Sequence, residues 1–335
     1  MTFSYYGHKY TITTSATYFY LVCACVFCWG ISYVNSIGYP VYGEVTAAPL
    51  WNTLCLMLPG KFFTYLIGFI LMGGGAFLVH RANYALMLIR KKTYFPFLFY
   101  ALLTSTNPDF FPFKSTSFGV FCLILALYQL FTSYHSPEAT NKAYNVSLII
   151  AVGSLLWVHI LWFLPLFWVG MYNFRALNIR MFVASLFGVL TVYWFVLGWC
   201  VWRQDFTAFT VPFISLFKIR ALTVLGAGLI DWLQILLVAG LTLLASINII
   251  THEYEDNLRT RQFLFFLIIM ALWSFGLFFL YEQSSEEFLE MACVPASILI
   301  AHFFTVNQGK YIFGLFHFSI LLFIGLLIMR IWNFL

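Results

Sequence analysis

Long apolar runs separated by short polar stretches set the pattern of this chain. Runs over 17–38, 62–81, 117–134, 181–202, 222–250, 263–281, 291–306 and 311–332 approach or exceed the length of a bilayer-crossing helix, which takes about 20 predominantly apolar residues. A shorter run starts at Tyr94 and is broken by Thr106-Asn107-Pro108-Asp109. The stretch 146–172 is ambiguous. It reads as one tilted span or as two short helices meeting near His159, and Pro165, which lacks a donor and clashes with the preceding turn, favours the break. Residues 83–92 read as a short interfacial helix with Leu86, Met87 and Ile89 inward. The 203–220 connection, with Pro212, reads as a second segment on the membrane surface. Gly73-Gly74-Gly75 predicts either close helix packing or a local break. Together these elements predict an all-α fold, a polytopic transmembrane bundle of about ten or eleven spans with short interfacial helices. It fills residues 1–335 as one membrane domain with no soluble domain.

Composition sharpens this. Only 9% of the 335 residues are charged, against about 25% in a soluble domain. The 62% apolar content excludes disorder, and continuous runs differ from the alternating segments of about ten residues in a membrane β-barrel. The first 16 residues show no cleavable-signal pattern. The net charge of +5 does not predict nucleic-acid binding, because the 17 Lys and Arg are scattered at run ends. The seven cysteines lie mostly inside apolar runs and read as small hydrophobes. Arg81, Arg90, Lys91 and Lys92 form the main basic cluster, and the positive-inside rule puts it in the cytoplasm. If 146–172 is a hairpin, 11 basic residues fall inside and 6 outside. A single span gives 10 and 7.

Candidate chemistry is sparse. Glu44 and Asp109 are the only acids before Glu138 and fall in the first and second exterior loops. Such a pair could supply a general base for an acceptor hydroxyl, or oxygen ligands for a divalent cation. Solvated loop acids are the plainer reading. Lys61 and Lys114 lie near the same loops and could contact a lipid phosphate, or simply anchor in headgroups. The seven histidines show no i, i+4 pair, and no metal site is predicted. Those within spans are expected to make interhelical hydrogen bonds. Asp231, placed about nine residues into an apolar run, reads as an acid in a proton or ion path or as one that snorkels toward the surface. Glu286, Glu287 and Glu290 read as a solvated face.

Three stretches carry a resemblance: Tyr94-Phe-Pro-Phe-Leu-Phe-Tyr-Ala-Leu-Leu-Thr-Ser-Thr-Asn-Pro-Asp-Phe, Asn145-Val-Ser-Leu-Ile-Ile-Ala-Val-Gly-Ser-Leu-Leu, and Val294-Pro-Ala-Ser-Ile-Leu-Ile-Ala-His-Phe-Phe. They resemble a family of polytopic inner-membrane proteins of Bacteroidota, which implies a multi-pass inner-membrane protein and no particular activity. In topology the chain also resembles, more distantly, glycosyltransferases that use polyprenyl-phosphate sugars. Those enzymes begin with a span, an exterior loop with an acid and a basic cytoplasmic turn, and often carry a second acid in the next exterior loop. Glu44 and Asp109 match those positions, although Glu44 is not part of an acidic pair, and no soluble acceptor-binding domain follows. That resemblance implies transfer from a lipid-linked sugar at the periplasmic face. The alternatives are a non-catalytic subunit or scaffold of a larger inner-membrane complex, with other membrane proteins as partners, and a transporter.

Overall fold

The structure, a computed structural model, describes residues 12, 15–35, 50–51, 54, 60–136, 139–175, 177–204, 206–219 and 228–332. Among them are twelve α-helices: α1 (Ser15–Asn35), α2 (Lys61–Leu86), α3 (Phe95–Ser105), α4 (Ser115–Thr132), α5 (Ala139–Ser154), α6 (Phe163–Asn173), α7 (Ile179–Arg203), α8 (Thr207–Leu216), α9 (Leu229–Thr251), α10 (Leu258–Leu280), α11 (Ser285–Val306) and α12 (Lys310–Trp332). Eight of these, α1, α2, α4, α7 and α9 to α12, are long and apolar enough to cross a membrane. Inside lipid a helix satisfies its own backbone donors and acceptors, so apolar runs of this length fold this way. The chain is a multi-pass helical membrane protein, and its outer helices present apolar side chains such as Phe19, Leu190, Phe195 and Leu321 to lipid.

The bundle has a centre. In α11, 89% of the most apolar window is buried, against 22% in α7. Aromatic stacking fills the space around it, with Phe99 on Phe304 at 5.6 Å and Phe131 on Phe263 at 4.5 Å between ring centres. The triple glycine does not break α2, which runs unbroken to Leu86. A Cβ on Gly74 or Gly75 would lie 3.2 Å from Phe121 or 3.1 Å from Ile124, so these glycines permit close packing on α4. At Gly68 the approach is closer, 2.1 Å from the Phe111 carbonyl oxygen.

Cross-links fix which helix ends lie together. At one end, Arg90 Nε donates to Asp256 at 2.6 Å, Thr260 donates to the Met87 carbonyl, and Asn307 donates to Asn248. This basic end holds the turn after α2, the α9–α10 and α11–α12 connections, and the start of α1, where Tyr18 bonds Thr93. At the far end, Lys61 Nζ donates to the Tyr33 carbonyl, and Arg330, near the end of α12, reaches Asp109 and Asp231.

The ambiguous stretch resolves into two short helices. α5 stops at Ser154, Val158–Trp162 forms a 3-10 turn, and α6 returns. Phe174, just after α6, packs on Phe131 and Phe263 near the basic end. The 3-10 turn lies toward the far end, where His159 meets Tyr281. The break precedes Pro165, which occupies the third position of α6, where a backbone N–H has no intrahelical partner. The segment is therefore a hairpin, and later helices alternate as the 11-to-6 charge distribution expects.

Two expectations need correction. Residues 83–92 do not form a separate helix. α2 continues to Leu86 and ends at Met87, whose φ of 51° is left-handed. Asn83 then takes the Ile89 N–H on Oδ1 at 3.0 Å and donates to the Thr93 carbonyl, holding a tight turn. Leu86 and Ile89 are buried as expected, but Met87 is 62% exposed. The second correction concerns Glu286, Glu287 and Glu290. They belong to the first turns of α11, and Glu287 and Glu290 are only 7% and 5% exposed, so the group is not a solvated face.

Candidate functional site: a cavity built on Arg330

The far end holds an open cavity of about 360 Å³ lined by Asp109, Gly228, Leu229, Ile230, Asp231, Glu286 and Arg330. Four segments distant in sequence supply it, and each presents its polar group for a local reason. Pro108 forces Asn107 into an extended conformation (φ −115°, ψ 114°) and ends the α3 segment. The Asn107 Oδ1 then accepts the Asp109 N–H at 3.0 Å, a tight side-chain turn that directs the loop onward. Asp231 lies in the first turn of α9 and accepts the Gly228 N–H at 3.1 Å, where a carboxylate is favoured by the helix dipole. Glu286 lies in the first turn of α11 for the same reason. Arg330 lies in the last turn of α12, where the dipole favours a cation.

Arg330 joins these segments. It is 6% exposed. Its Nη1 donates to Asn107 Oδ1 at 2.8 Å and lies 3.5 Å from Asp109 Oδ2. Its Nη2 donates to Gln234 Oε1 at 3.0 Å and to Asp231 Oδ1. Gln234, one turn beyond Asp231 on α9, also reaches Thr106 Oγ1 at 3.5 Å. The planar fork of guanidinium donors suits this divergent set, which a lysine could not serve. A buried charge must be paired and hydrogen-bonded, and Arg330 is both.

The cavity lining carries three carboxylates and one guanidinium. Asp231 is committed to Arg330 and to its helix cap. Asp109 is only loosely held. Glu286 makes no hydrogen bond or ion pair among the described residues, although the charges of Asp109, Lys114, Arg330 and Asp231 act on it. One helical turn further in, Glu290 is buried, and the charge of Lys114 acts on it. A small pocket joins Glu290 to Gly68, Tyr100, Thr104 and Ser117.

Among the residues singled out from sequence, Asp109, Asp231 and Glu286 line this cavity, Glu286 against the expectation of a solvated face. Lys114 does not line it but bears on it electrostatically. Lys61 lies elsewhere, on the Tyr33 carbonyl and over the rings of Tyr33 and Tyr65 at 4.8 and 5.9 Å. Glu44 lies outside the described residues. No group of three or more His, Cys, Asp or Glu able to hold a metal ion occurs among the described residues. His317 bonds the carbonyl of Phe313 on its own helix rather than a neighbouring helix, and His302 lies 3.6 Å from Asp256.

Sequence reasoning passed over Arg330 and Gln234. One signal was present. α9 carries an acid, Asp231, and α12 an arginine, Arg330, each within a few residues of an end of an apolar run, and the two are opposite in sign, so each is the other's natural partner.

No protein-family model, curated protein or solved structure matches this chain.

Proposed function

We propose that the protein is an integral inner-membrane enzyme of glycosyltransferase type, acting at its far end on a polyprenyl-phosphate-linked sugar. The observation that carries this reading is the open cavity in which Glu286 and Asp109 face a guanidinium-anchored frame. Transfer needs a base to accept the proton of an acceptor hydroxyl as its oxygen bonds the sugar carbon and the bond to the lipid phosphate breaks. Glu286 is the carboxylate least committed to structure, which suits it to that role. Asp109 stands beside it as a second acceptor. Arg330 is a positioning residue, since its donors are spent on Asp231, Gln234 and Asn107. The positive-inside rule puts the Arg90 end in the cytoplasm and hence the cavity on the periplasmic side.

Two measurements test this. With native cysteines removed, Met87→Cys should label only from the cytoplasm and Leu229→Cys only from the periplasm. The reverse pattern overturns the sidedness. In a complementation assay, Glu286→Gln and Asp109→Asn should each fail while the protein still inserts. Full complementation by both replaces the enzyme with a non-catalytic subunit of a larger membrane complex.

A further inference from the structure

The basic end holds a second cavity, of about 210 Å³, lined by His80, Asn83, Tyr84, Met87, Ile89, Arg90, Lys91, Lys92, Thr93 and Tyr94. Three full positive charges face it, and none of the lining residues is a carboxylate. Asp256, from the α9–α10 connection, is held against Arg90 Nε at 2.6 Å. Lys91 makes no hydrogen bond or ion pair among the described residues. Lys92 is set by Tyr84, with Nζ 3.5 Å from its hydroxyl and 4.8 Å from its ring centre.

The frame beneath these cations is preformed. Asn83 ties the turn to both Ile89 and Thr93, Leu88 and Ile89 are buried, and Thr260 anchors Met87 to α10. A ligand there would not have to order the loop, so little binding energy would be lost on closure. The rim is apolar and exposed: Tyr84, Met87 and Tyr94 all face outward. A concave cationic site with an aromatic and methionine rim at the end of a membrane helix matches a ligand with an anionic head and a hydrocarbon body.

We infer that this cavity binds the phosphate headgroup of an anionic phospholipid, with Lys91 and Lys92 as its main contacts and the acyl chains passing over Tyr84 and Met87. Free phosphate offers the same head chemistry without the body, and the apolar rim would do nothing for it. The site is separate from the far-end cavity, so it stands whether or not that cavity is catalytic.

The test uses the full-length protein in detergent micelles, with native mass spectrometry to count retained lipids. Phosphatidylglycerol and phosphatidylcholine are the probes, and inorganic phosphate is the competitor. Wild type should retain phosphatidylglycerol over phosphatidylcholine. A cation close to an anionic lipid surface contributes about a five-fold gain in binding, so Lys91→Gln with Lys92→Gln should weaken retention about 30-fold. Lys310→Gln, on the same end but off the cavity, should leave retention unchanged, and the elution profile of the double variant should match wild type. Equal retention by the double variant overturns the site. Equal retention of the two lipids by wild type does the same. Complete displacement by millimolar inorganic phosphate overturns the assignment to a lipid.

Discussion

The two ends of the bundle handle charge in opposite ways. At the far end, Arg330 gathers Asn107, Asp109, Asp231 and Gln234, all at least 96 residues away in sequence, and three carboxylates face an open cavity. At the basic end, Arg90, Lys91 and Lys92 are consecutive, the turn that carries them is closed by Asn83 six residues upstream of Ile89, and Asp256 reaches in from the α9–α10 connection. One end is assembled by the fold and the other by the local chain. A long-range network built around a buried charge costs stability when one member is removed, whereas a local basic turn exposed to solvent tolerates change.

That contrast can be broken most severely at Arg330. Arg330→Ala removes the charge that pairs Asp231 and takes one donor each from Asn107 Oδ1 and Gln234 Oε1. Removing one partner of a buried pair costs several kcal/mol, and because Asp231 is partly solvated the loss here should be about 3 kcal/mol. Adding Asp231→Asn to Arg330→Met removes the stranded charge but keeps an oxygen to cap α9. It should recover about 1 kcal/mol or more relative to the arginine variant alone. Denaturant unfolding in detergent reads both, and additive losses in the double variant would show that the two charges do not interact.

Gly68→Ala comes next. Its Cβ would fall 2.1 Å from the Phe111 carbonyl oxygen, and the same stretch is tied to α2 by the Phe113 N–H on the Thr64 carbonyl. The loop carrying Asp109 must shift, at a cost of about 2 kcal/mol. Thermal unfolding checks this, and wild-type stability would mean that the loop yields freely.

At the basic end the effect is smaller and depends on pH. Burial pushes the Asp256 carboxyl up, but the neighbouring His302 and the Arg90 guanidinium outweigh it and hold the group down at about 2. A depressed carboxyl adds stability that is full above its unfolded value near 3.8 and lost as pH falls toward 2. Discounted for the partial exposure of Arg90, Asp256→Asn should cost about 1 kcal/mol at pH 7. The difference from wild type should shrink to about half by pH 3. A difference constant between pH 7 and pH 3 would remove Asp256 from the account.

The same contrast explains what the sequence disclosed. The long spans were legible because an apolar run of about 20 residues in lipid has few other options. The break at Asn107-Pro108 was legible because proline acts on its immediate neighbours. The 146–172 hairpin was only half legible. Pro165 marks a disruption, but the chain turns at residues 155–162, where no proline stands and packing against Tyr281 and Phe288 decides. Asp109 and Asp231 stood out as isolated charges, yet nothing local says that they share Arg330. The burial of Glu287 and Glu290 was not legible either, since an acid-rich helix start looks the same whether it faces water or a neighbouring helix. Residues 83–92 misled because Asn83 caps a turn with its side chain, an effect outside the reach of helical periodicity.

The proposed sugar transfer would take place in the far-end cavity, with Glu286 taking the proton. The most direct test is sugar transfer from a labelled polyprenyl-phosphate donor to acceptor by purified protein in liposomes, comparing wild type with a folded Glu286→Gln variant. The account predicts transfer by wild type and a loss of about 100-fold or more in the variant, the usual effect of removing a general base. Transfer at the wild-type rate by Glu286→Gln, or none by wild type, would contradict it.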